Sequence, residues 1–471
     1  VLGGVGVALT KNGTGMATLS GNNTYTGATT LNAGTLSVGA DANLGSGNAL
    51  VFNGGTLQIT GAALTTYSSG LIGNHTVTLT ATKTVGLDIA DPGNTFTVST
   101  NMTQGTGGLT KSGVGTLVLA GINTYNGTTT ISAGTLQFAS AASLYTSNNT
   151  LWTASKVIVN SGATLALNVG GSGEFSTGNV TTLLTNLGGL GGSVNNSGLQ
   201  AGSSIAFDTT NASGGNFTVT NAIANSTGTG GGSIGVNKLG TNALILTGAN
   251  TYTGKTVISA GTLVLGTTGT IANSSQINLG TAGSQGTLDV TAKSAFTFGT
   301  GQILAGYGTV NLGAGKTLTV AGGLAPGNSP GITSITGNLE LLTSTVTTME
   351  LAGAGGVAGT DFDQVKVTGS VAYKGTLTIT SYNGWNINQV ANYKIFDFAS
   401  YTGNFDAMSV GGVALTFDSD KTWSGTNAGA NYAFTLNDGL LAVTVPEPST
   451  WALLGMGALL LLAVGRRRRT L

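Results

Sequence analysis

Two aspartates separated by one residue form the catalytic candidate that the sequence offers most directly. Asp361 and Asp363 lie in the segment Asp-Phe-Asp-Gln at residues 361–364. In a strand, residues two apart project from the same face, so the pair could act as acid and base on a polysaccharide or bind calcium. No arginine occurs before residue 466 to stabilise an acidic sugar. We therefore favour a structural turn or an incidental cation site, and keep a carbohydrate-active enzyme as the alternative.

A second candidate site recurs three times, as Asn-Thr-Tyr-(Thr/Asn)-Gly at residues 23–27, 123–127 and 250–254. Its tyrosines, Tyr25, Tyr125 and Tyr252, could stack on sugar rings, because an aromatic face combines apolar area with a polar rim. We favour the simpler hypothesis that each tyrosine covers the end of a coil at a corner. On that hypothesis Tyr125→Ala should cost far less stability than Leu119→Asp.

Composition excludes several classes of chemistry. The chain of 471 residues has no cysteine and one histidine, so disulfides, thiolate metal sites and cysteine nucleophiles are absent. His75 lies in a polar turn at residues 73–76, and we expect an ordinary surface imidazole. Before residue 446, 12 lysines face 15 carboxylates, a balance of −3. We expect no metal site, no cofactor and no binding of nucleic acid, which requires a basic surface.

Internal repeats indicate how these residues are positioned. Residues 13–39, 113–139 and 240–266 align without gaps, at offsets of 100 and 127. Within each repeat, apolar residues alternate with polar ones and turn residues follow, which predicts three short strands forming one coil of a solenoid. Six leucines should face its interior: Leu19, Leu36, Leu119, Leu136, Leu246 and Leu263. Glycine supplies the positive φ of tight corners, so 80 glycines need not mean flexibility.

These repeats resemble the autotransporter-associated β-strand repeat, which occurs in long surface-exposed passengers with β-helix folds. The resemblance implies an all-β chain in which residues 1–325 form a right-handed parallel β-helix. A loop with two prolines and two glycines at residues 324–331 then begins a section that resembles the terminal part of such passengers. We expect residues 326–445, which are rich in aromatic residues, to form a C-terminal β section that caps the solenoid.

The last segment of the sequence, residues 446–471, has the composition of a targeting signal. Pro446, Glu447 and Pro448 precede an apolar stretch at residues 451–464, which four arginines follow: Arg466, Arg467, Arg468 and Arg469. The stretch has about the minimum length for a transmembrane helix, and the arginines should remain in the cytoplasm.

This order of triplet, short helix and arginine cluster resembles the PEP-CTERM sorting signal of Gram-negative bacteria. The resemblance implies export, a transient anchor in the inner membrane, and processing near the triplet by an exosortase. Export also requires an N-terminal signal, which we expect to have preceded Val1.

The function that these observations favour is that of a noncatalytic structural or adhesion protein of the cell surface, outer membrane or extracellular matrix. Its partners would be the exosortase and then exopolysaccharide or other surface proteins, and we expect it to bind polysaccharide weakly or not at all and to cleave none. An autotransporter with its own translocator would need roughly 250 further residues forming a membrane barrel, whereas the sequence ends in Arg-Thr-Leu.

Overall fold

The computed structural model describes residues 1–446 apart from 48, 189–196, 328–329 and 419. The chain divides into two compact units. The first comprises Val1–Gly280 and Ser284–Ser294, and the second comprises Thr281–Gly283 and the residues from Ala295 onward. Both are built mainly from short parallel strands stacked in sheets, which confirms the prediction of an all-β, solenoid-type fold. Five short 3₁₀ turns accompany them, at Asp41–Leu44, Ala141–Ser143, Tyr145–Ser147, Asn149–Leu151 and Ser213–Gly215.

The first unit contains one parallel sheet of eight strands. In order along the chain these are Met16–Leu19, Thr35–Val38, Thr56–Ile59, Val85–Ile89, Leu109–Ser112, Thr129–Ile131, Val157–Val159 and Gly198–Leu199. Each strand pairs in parallel with the next one, so the sheet grows by one strand per turn of the chain. At Gly3–Gly4 and Thr24–Tyr25 a further parallel pair forms beside it.

A second run of strands in this unit stacks in the same way. It consists of Leu9–Lys11, Thr29–Leu31, Ala49–Phe52, His75–Leu79, Leu71–Ile72, Thr66–Ser68, Thr95–Val98, Thr116–Leu119, Thr135–Phe138, Thr164–Asn168, Ser204–Asp208, Gly235–Leu239, Thr256–Ile258 and Gln276–Asn278. The pairing is parallel except at Leu71–Ile72, which pairs antiparallel with both of its neighbours. This meander interrupts the solenoid pattern within residues 66–79.

The first unit also contains an α-helix at Thr177–Gly188, which was not predicted from the sequence. It packs against the last strand of the eight-stranded sheet, Gly198–Leu199, and against Asn216–Val219. The latter strand begins another parallel stack, which continues through Ala243–Leu246, Gly261–Leu265 and Ser284–Asp289. Val180, Leu183 and Leu187 are the buried residues of the helix. The helix thus covers the place where one sheet ends and the next begins.

The second repeat, residues 113–139, contains the three predicted strands, Thr116–Leu119, Thr129–Ile131 and Thr135–Phe138, but they belong to two successive rungs and not to one coil. Thr116–Leu119 and Thr135–Phe138 pair in parallel with each other. Thr129–Ile131 pairs in parallel with Leu109–Ser112, the strand just before the repeat. Paired residues such as Leu109 and Thr129 are therefore about one rung apart along the chain, and the segment 123–127 is the corner that joins the two rungs.

The second unit continues with three parallel stacks beyond residue 325, where the sequence suggested a change. One stack is Phe296–Phe298, Thr317–Val320, Asn338–Leu341, Ser370–Tyr373 and Ser400–Gly403. Another is Gly308–Asn311, Ile332–Thr336, Gln364–Val367 and Phe396–Asp397. The third is Ile303–Gly306, Gly323–Pro326, Val346–Leu351, Thr376–Ser381 and Ala407–Val410, which ends in an antiparallel pairing with Val413–Ala414.

An antiparallel sheet completes the second unit. Its strands are Ala391–Lys394, Leu440–Thr444, Ala430–Thr435, Thr422–Asn427 and Thr416–Phe417, in the order in which they pair. An aromatic cluster lies around Tyr373, with Phe405 at 4.9 Å and Phe396 at 5.3 Å between ring centroids. Such rings supply the large apolar area that short strands lack.

Alternation of side chains places the core of the solenoid as predicted. Five of the six leucines expected inside are buried, with at most 1% of their surface exposed: Leu36, Leu119, Leu136, Leu246 and Leu263. Leu19 is only half-buried. Its strand, Met16–Leu19, is the end strand of its sheet and pairs on one side alone. A leucine needs a rung on both sides to be covered fully.

Candidate functional site

The two aspartates of the catalytic candidate each bind separate backbone groups. Asp363 is buried, and its two carboxylate oxygens accept hydrogen bonds from the amides of Gly331 at 2.7 Å and Glu350 at 2.8 Å. Asp361 is half-buried in a turn, outside any strand, and accepts a hydrogen bond from the amide of Val357 at 2.8 Å. The assumption that both side chains project from one face of a strand is therefore wrong. Asp363 thus fastens its segment to the strand Val346–Leu351, whereas Asp361 closes its own turn.

Burial raises the pKa of Asp363 to about 7, and the nearby carboxylate of Glu350 adds to the rise. The two backbone amides oppose it, because they stabilise the ionised form. A raised pKa in a buried carboxyl is also a property of some catalytic acids. Within the described residues, however, no group of three or more histidine, aspartate or glutamate side chains is arranged to bind a metal ion.

His75 is buried, so the prediction of a surface imidazole is wrong. Only 2% of its surface is exposed, because it lies on the strand His75–Leu79 inside the meander. Its Nε2 atom lies 3.4 Å from a carboxylate oxygen of Asp41. That same carboxylate accepts hydrogen bonds from the backbone and side chain of Asn74. The histidine therefore belongs to the packing of the meander.

The repeated asparagine joins three rungs at each corner. In the second repeat, the side chain of Asn123 accepts a hydrogen bond from the amide of Met102 at 2.9 Å, on the preceding rung. It donates one to the carbonyl of Ser143 at 2.6 Å, on the following rung. Asn23 and Asn250 make the same two contacts in their repeats. One buried amide thus satisfies a donor and an acceptor that the corner leaves unpaired.

The three tyrosines point into the solenoid. Tyr25, Tyr125 and Tyr252 are each 1% exposed, and each hydroxyl lies 2.6 Å from the threonine hydroxyl four residues later. No sugar can stack on rings that are buried in this way. Burial also raises the pKa of Tyr125 far above its ordinary value. Since these tyrosines are core residues, the expectation that Tyr125→Ala costs little must be revised.

A buried lysine precedes the corner in the second and third repeats. The ammonium group of Lys111 donates to the carbonyls of Ser112 at 2.7 Å, Gly113 at 2.8 Å and Ala133 at 3.1 Å. Lys238 has the same arrangement in the third repeat. Three donors thus meet three acceptors, one of which belongs to the next rung. Burial lowers the pKa of Lys111 to about 8, against the opposing effect of Asp88.

Two glycines of the repeat are required by close approach of the backbone. A Cβ atom on Gly127 would lie 2.3 Å from the carbonyl oxygen of Gly107 on the preceding rung. Gly134 has a φ of +62°, and a Cβ atom there would lie 2.4 Å from the carbonyl oxygen of Gly115. Because no other residue fits these positions without strain, the spacing of glycines is a signature of the rung.

These positions coincide with the segments recognised by comparison with known families. The model of the passenger-associated-transport-repeat matches residues 9–38, 109–138 and 236–265. The model of the PEP-CTERM protein-sorting motif matches residues 444–469. The chain carries passenger-associated repeats and a PEP-CTERM sorting motif.

Among characterised proteins, the chain is similar to the adhesin BmaC autotransporter of Brucella suis biovar 1 (strain 1330). The two are 32% identical over 271 residues. The match covers 55% of this chain and 7% of the adhesin, so the chain corresponds to a small part of that protein.

Most of the sorting motif lies outside the described residues. Glu447, Pro448, the apolar stretch and the arginines Arg466 to Arg469 all belong to that part. Pro446 is described and exposed, two residues after the strand Leu440–Thr444. In the described part of the chain, no helix has both the length and the apolar character to cross a membrane.

Proposed function

We propose that this chain is an exported, noncatalytic protein of the cell surface, with a structural or adhesive role. The observation that carries the proposal is the presence of two modules in one chain. Passenger-associated repeats build a polar-surfaced stack of rungs, and a PEP-CTERM motif acts as its sorting signal. Similarity to a protein named as an adhesin supports the same role.

In this proposal the tail is a sorting device. Residues 451–464 form a short transmembrane helix, and the four arginines hold its end in the cytoplasm of a Gram-negative cell. An exosortase-type enzyme then acts near the triplet, which directly follows the last described strand. The released protein, whose coils wind right-handed and end in a C-terminal β section at residues 326–445 that acts as a cap, reaches the outer membrane or the extracellular matrix. There it meets exopolysaccharide or other surface proteins.

The alternative function is that of a polysaccharide lyase or hydrolase using Asp361 and Asp363. Their separate hydrogen bonds to backbone amides favour the noncatalytic proposal, because an acid and a base must converge on one substrate. Turnover of a uronate-containing or neutral polysaccharide that disappears in Asp361→Asn or Asp363→Asn would favour the enzyme instead.

Fractionation of a native host tests the sorting step. The wild-type protein should leave the inner membrane and lose its C-terminus, whereas Glu447→Gln and a deletion of residues 466–469 should change its location. Lys366→Gln, an exposed change of charge on a strand, is the matched control and should behave as wild type. All four proteins should resist protease equally, since the tail follows the last described strand and Lys366 is exposed. Retention of both wild type and Glu447→Gln in the inner membrane with intact C-termini would contradict the proposal.

A further inference from the structure

A turn in the second unit carries two aromatic residues that line the same cleft, Tyr382 and Trp385. Both are half-buried, and the turn is closed by a hydrogen bond from the amide of Trp385 to the carbonyl of Tyr382 at 3.0 Å. The hydroxyl of Ser381 donates to the carbonyl of Trp385 at 2.7 Å, and the amide of Tyr382 donates to the carbonyl of Leu351 at 2.8 Å. At the tip, Asn383 and Gly384 have positive φ values of 48° and 73°. These hydrogen bonds fix the backbone that carries the two aromatic side chains.

This turn forms one wall of an open cleft of about 410 Å³. Pro330, Ala352 and Thr360 also line it, and Asn383 and Asn386 are exposed. None of the described residues that line the cleft carries a charge. The volume lies within the range of small-ligand sites, which are typically about 300–1,000 Å³.

We propose that this cleft, which we call the 382–386 cleft, binds a neutral sugar unit of a polysaccharide. The C–H groups on one face of a sugar ring are attracted to the electron-rich face of an aromatic ring, while its hydroxyls need donors and acceptors around the edge. Tyr382 and Trp385 supply the faces, and the amides of Asn383 and Asn386 supply both donors and acceptors. An acidic sugar would bring a charge into a cleft that offers no cation, so the neutral class is favoured.

The inference deepens the proposed function, on which it rests, by assigning a ligand class to an adhesive surface. A shallow cleft that holds one or two sugar units gives weak binding, with a Kd of roughly 0.1–5 mM. Many copies on one surface would add such weak contacts together along a long polysaccharide. Weak binding of an isolated molecule agrees with what the sequence led us to expect.

Titration of the full chain with defined oligosaccharides tests the cleft. Cellohexaose, maltohexaose and mannohexaose serve as neutral probes, and a hexamer of galacturonate serves as the acidic one. At least one neutral probe should bind, and Trp385→Ala should weaken that binding about ten-fold. Asn383→Gly should weaken it about three-fold, because glycine keeps the positive φ of the tip and removes only the amide.

Phe417→Ala is the matched control. Phe417 is 45% exposed in a different cleft of the same unit, beside Tyr401 and Lys421, and its loss should leave binding unchanged. Melting curves establish that each variant is folded. Three results would each overturn the inference. They are no binding of any neutral probe, a preference for the galacturonate hexamer, and binding by folded Trp385→Ala and Asn383→Gly that equals that of the wild type. Each of these results would still leave the fractionation test of the proposed function standing, since that test does not involve the cleft.

Discussion

Replacing the corner asparagine of the second repeat, Asn123, should destabilise the solenoid strongly, although the sequence around it resembles an exposed turn. Asn123 is fully buried and makes two hydrogen bonds, to the amide of Met102 and the carbonyl of Ser143. Asn123→Ala leaves both groups buried without a partner. Each such group costs about 1–3 kcal/mol, so the free energy of unfolding should fall by about 2–6 kcal/mol. Asn126→Ala is the control, because Asn126 is exposed three residues away.

Two assays measure this effect at different scales. Urea denaturation followed by the fluorescence of buried Trp152 reports the loss of stability nearby. Hydrogen exchange at the amide of Met102 reports the corner itself, and should accelerate by a factor of about 30 to 20,000, since 1.4 kcal/mol corresponds to a factor of ten. Neighbouring rungs should exchange faster too, because each rung is stabilised mainly by those it touches.

The two variants differ in the bonds that they break, which makes the comparison decisive. Asn126→Ala should lie within about 0.5 kcal/mol of wild type, as is usual for an exposed position. If Asn123→Ala matched it, and the amide of Met102 kept its protection, the asparagine would not be joining the rungs and the account of the repeat would fail.

Two further predictions concern the same repeat. Tyr125→Ala should cost about 3–5 kcal/mol, comparable to Leu119→Asp, because both positions are fully buried. Similar urea midpoints for Tyr125→Ala and wild type would show that the ring lies outside. Stability should rise by about 2 kcal/mol between pH 7 and 9.5 through Lys111, whose pKa is lowered to about 8 in the fold but is ordinary, at 10.5, in the unfolded chain. Over that interval unfolding takes up a proton, so a higher pH favours the folded state. Lys238, whose pKa burial also lowers to about 8, should contribute a similar rise, so Lys111→Met should reduce the total slope by about half. An unchanged slope in Lys111→Met would assign it to other groups.

Strand positions were predictable because alternation of side chains is a local property. Leu117 and Leu119, or Leu136 and Phe138, face the core as their period of two requires. The helix at Thr177–Gly188 was not predicted, although its start carries a capping residue. The hydroxyl of Ser176 accepts a hydrogen bond from the amide of Asn179, as in a helix cap.

Polar residues at the corners were not predictable in the same way. Asn123, Tyr125 and Lys111 occur in segments rich in threonine and glycine, which are typical of exposed turns. Whether such a side chain points in or out depends on unpaired backbone groups of rungs that are some 20 residues away. The prediction that His75 is exposed was wrong for a related reason, because its neighbours in the sequence do not reveal the antiparallel meander that covers it.

Corner side chains depend on the backbone groups of neighbouring rungs, which explains why some positions of the three repeats keep one residue type while others vary. A solenoid corner cannot complete the ladder of hydrogen bonds that its strands make, so it leaves amides and carbonyls in a space without water. Asn123 and Lys111 together satisfy four carbonyls and one amide from three rungs. An apolar corner would pack equally well but would leave these groups unpaired, at a cost that a stack of many corners multiplies. The polar signature of the repeat is therefore a requirement of stacking, and surface chemistry must come from residues outside it, such as Tyr382 and Trp385.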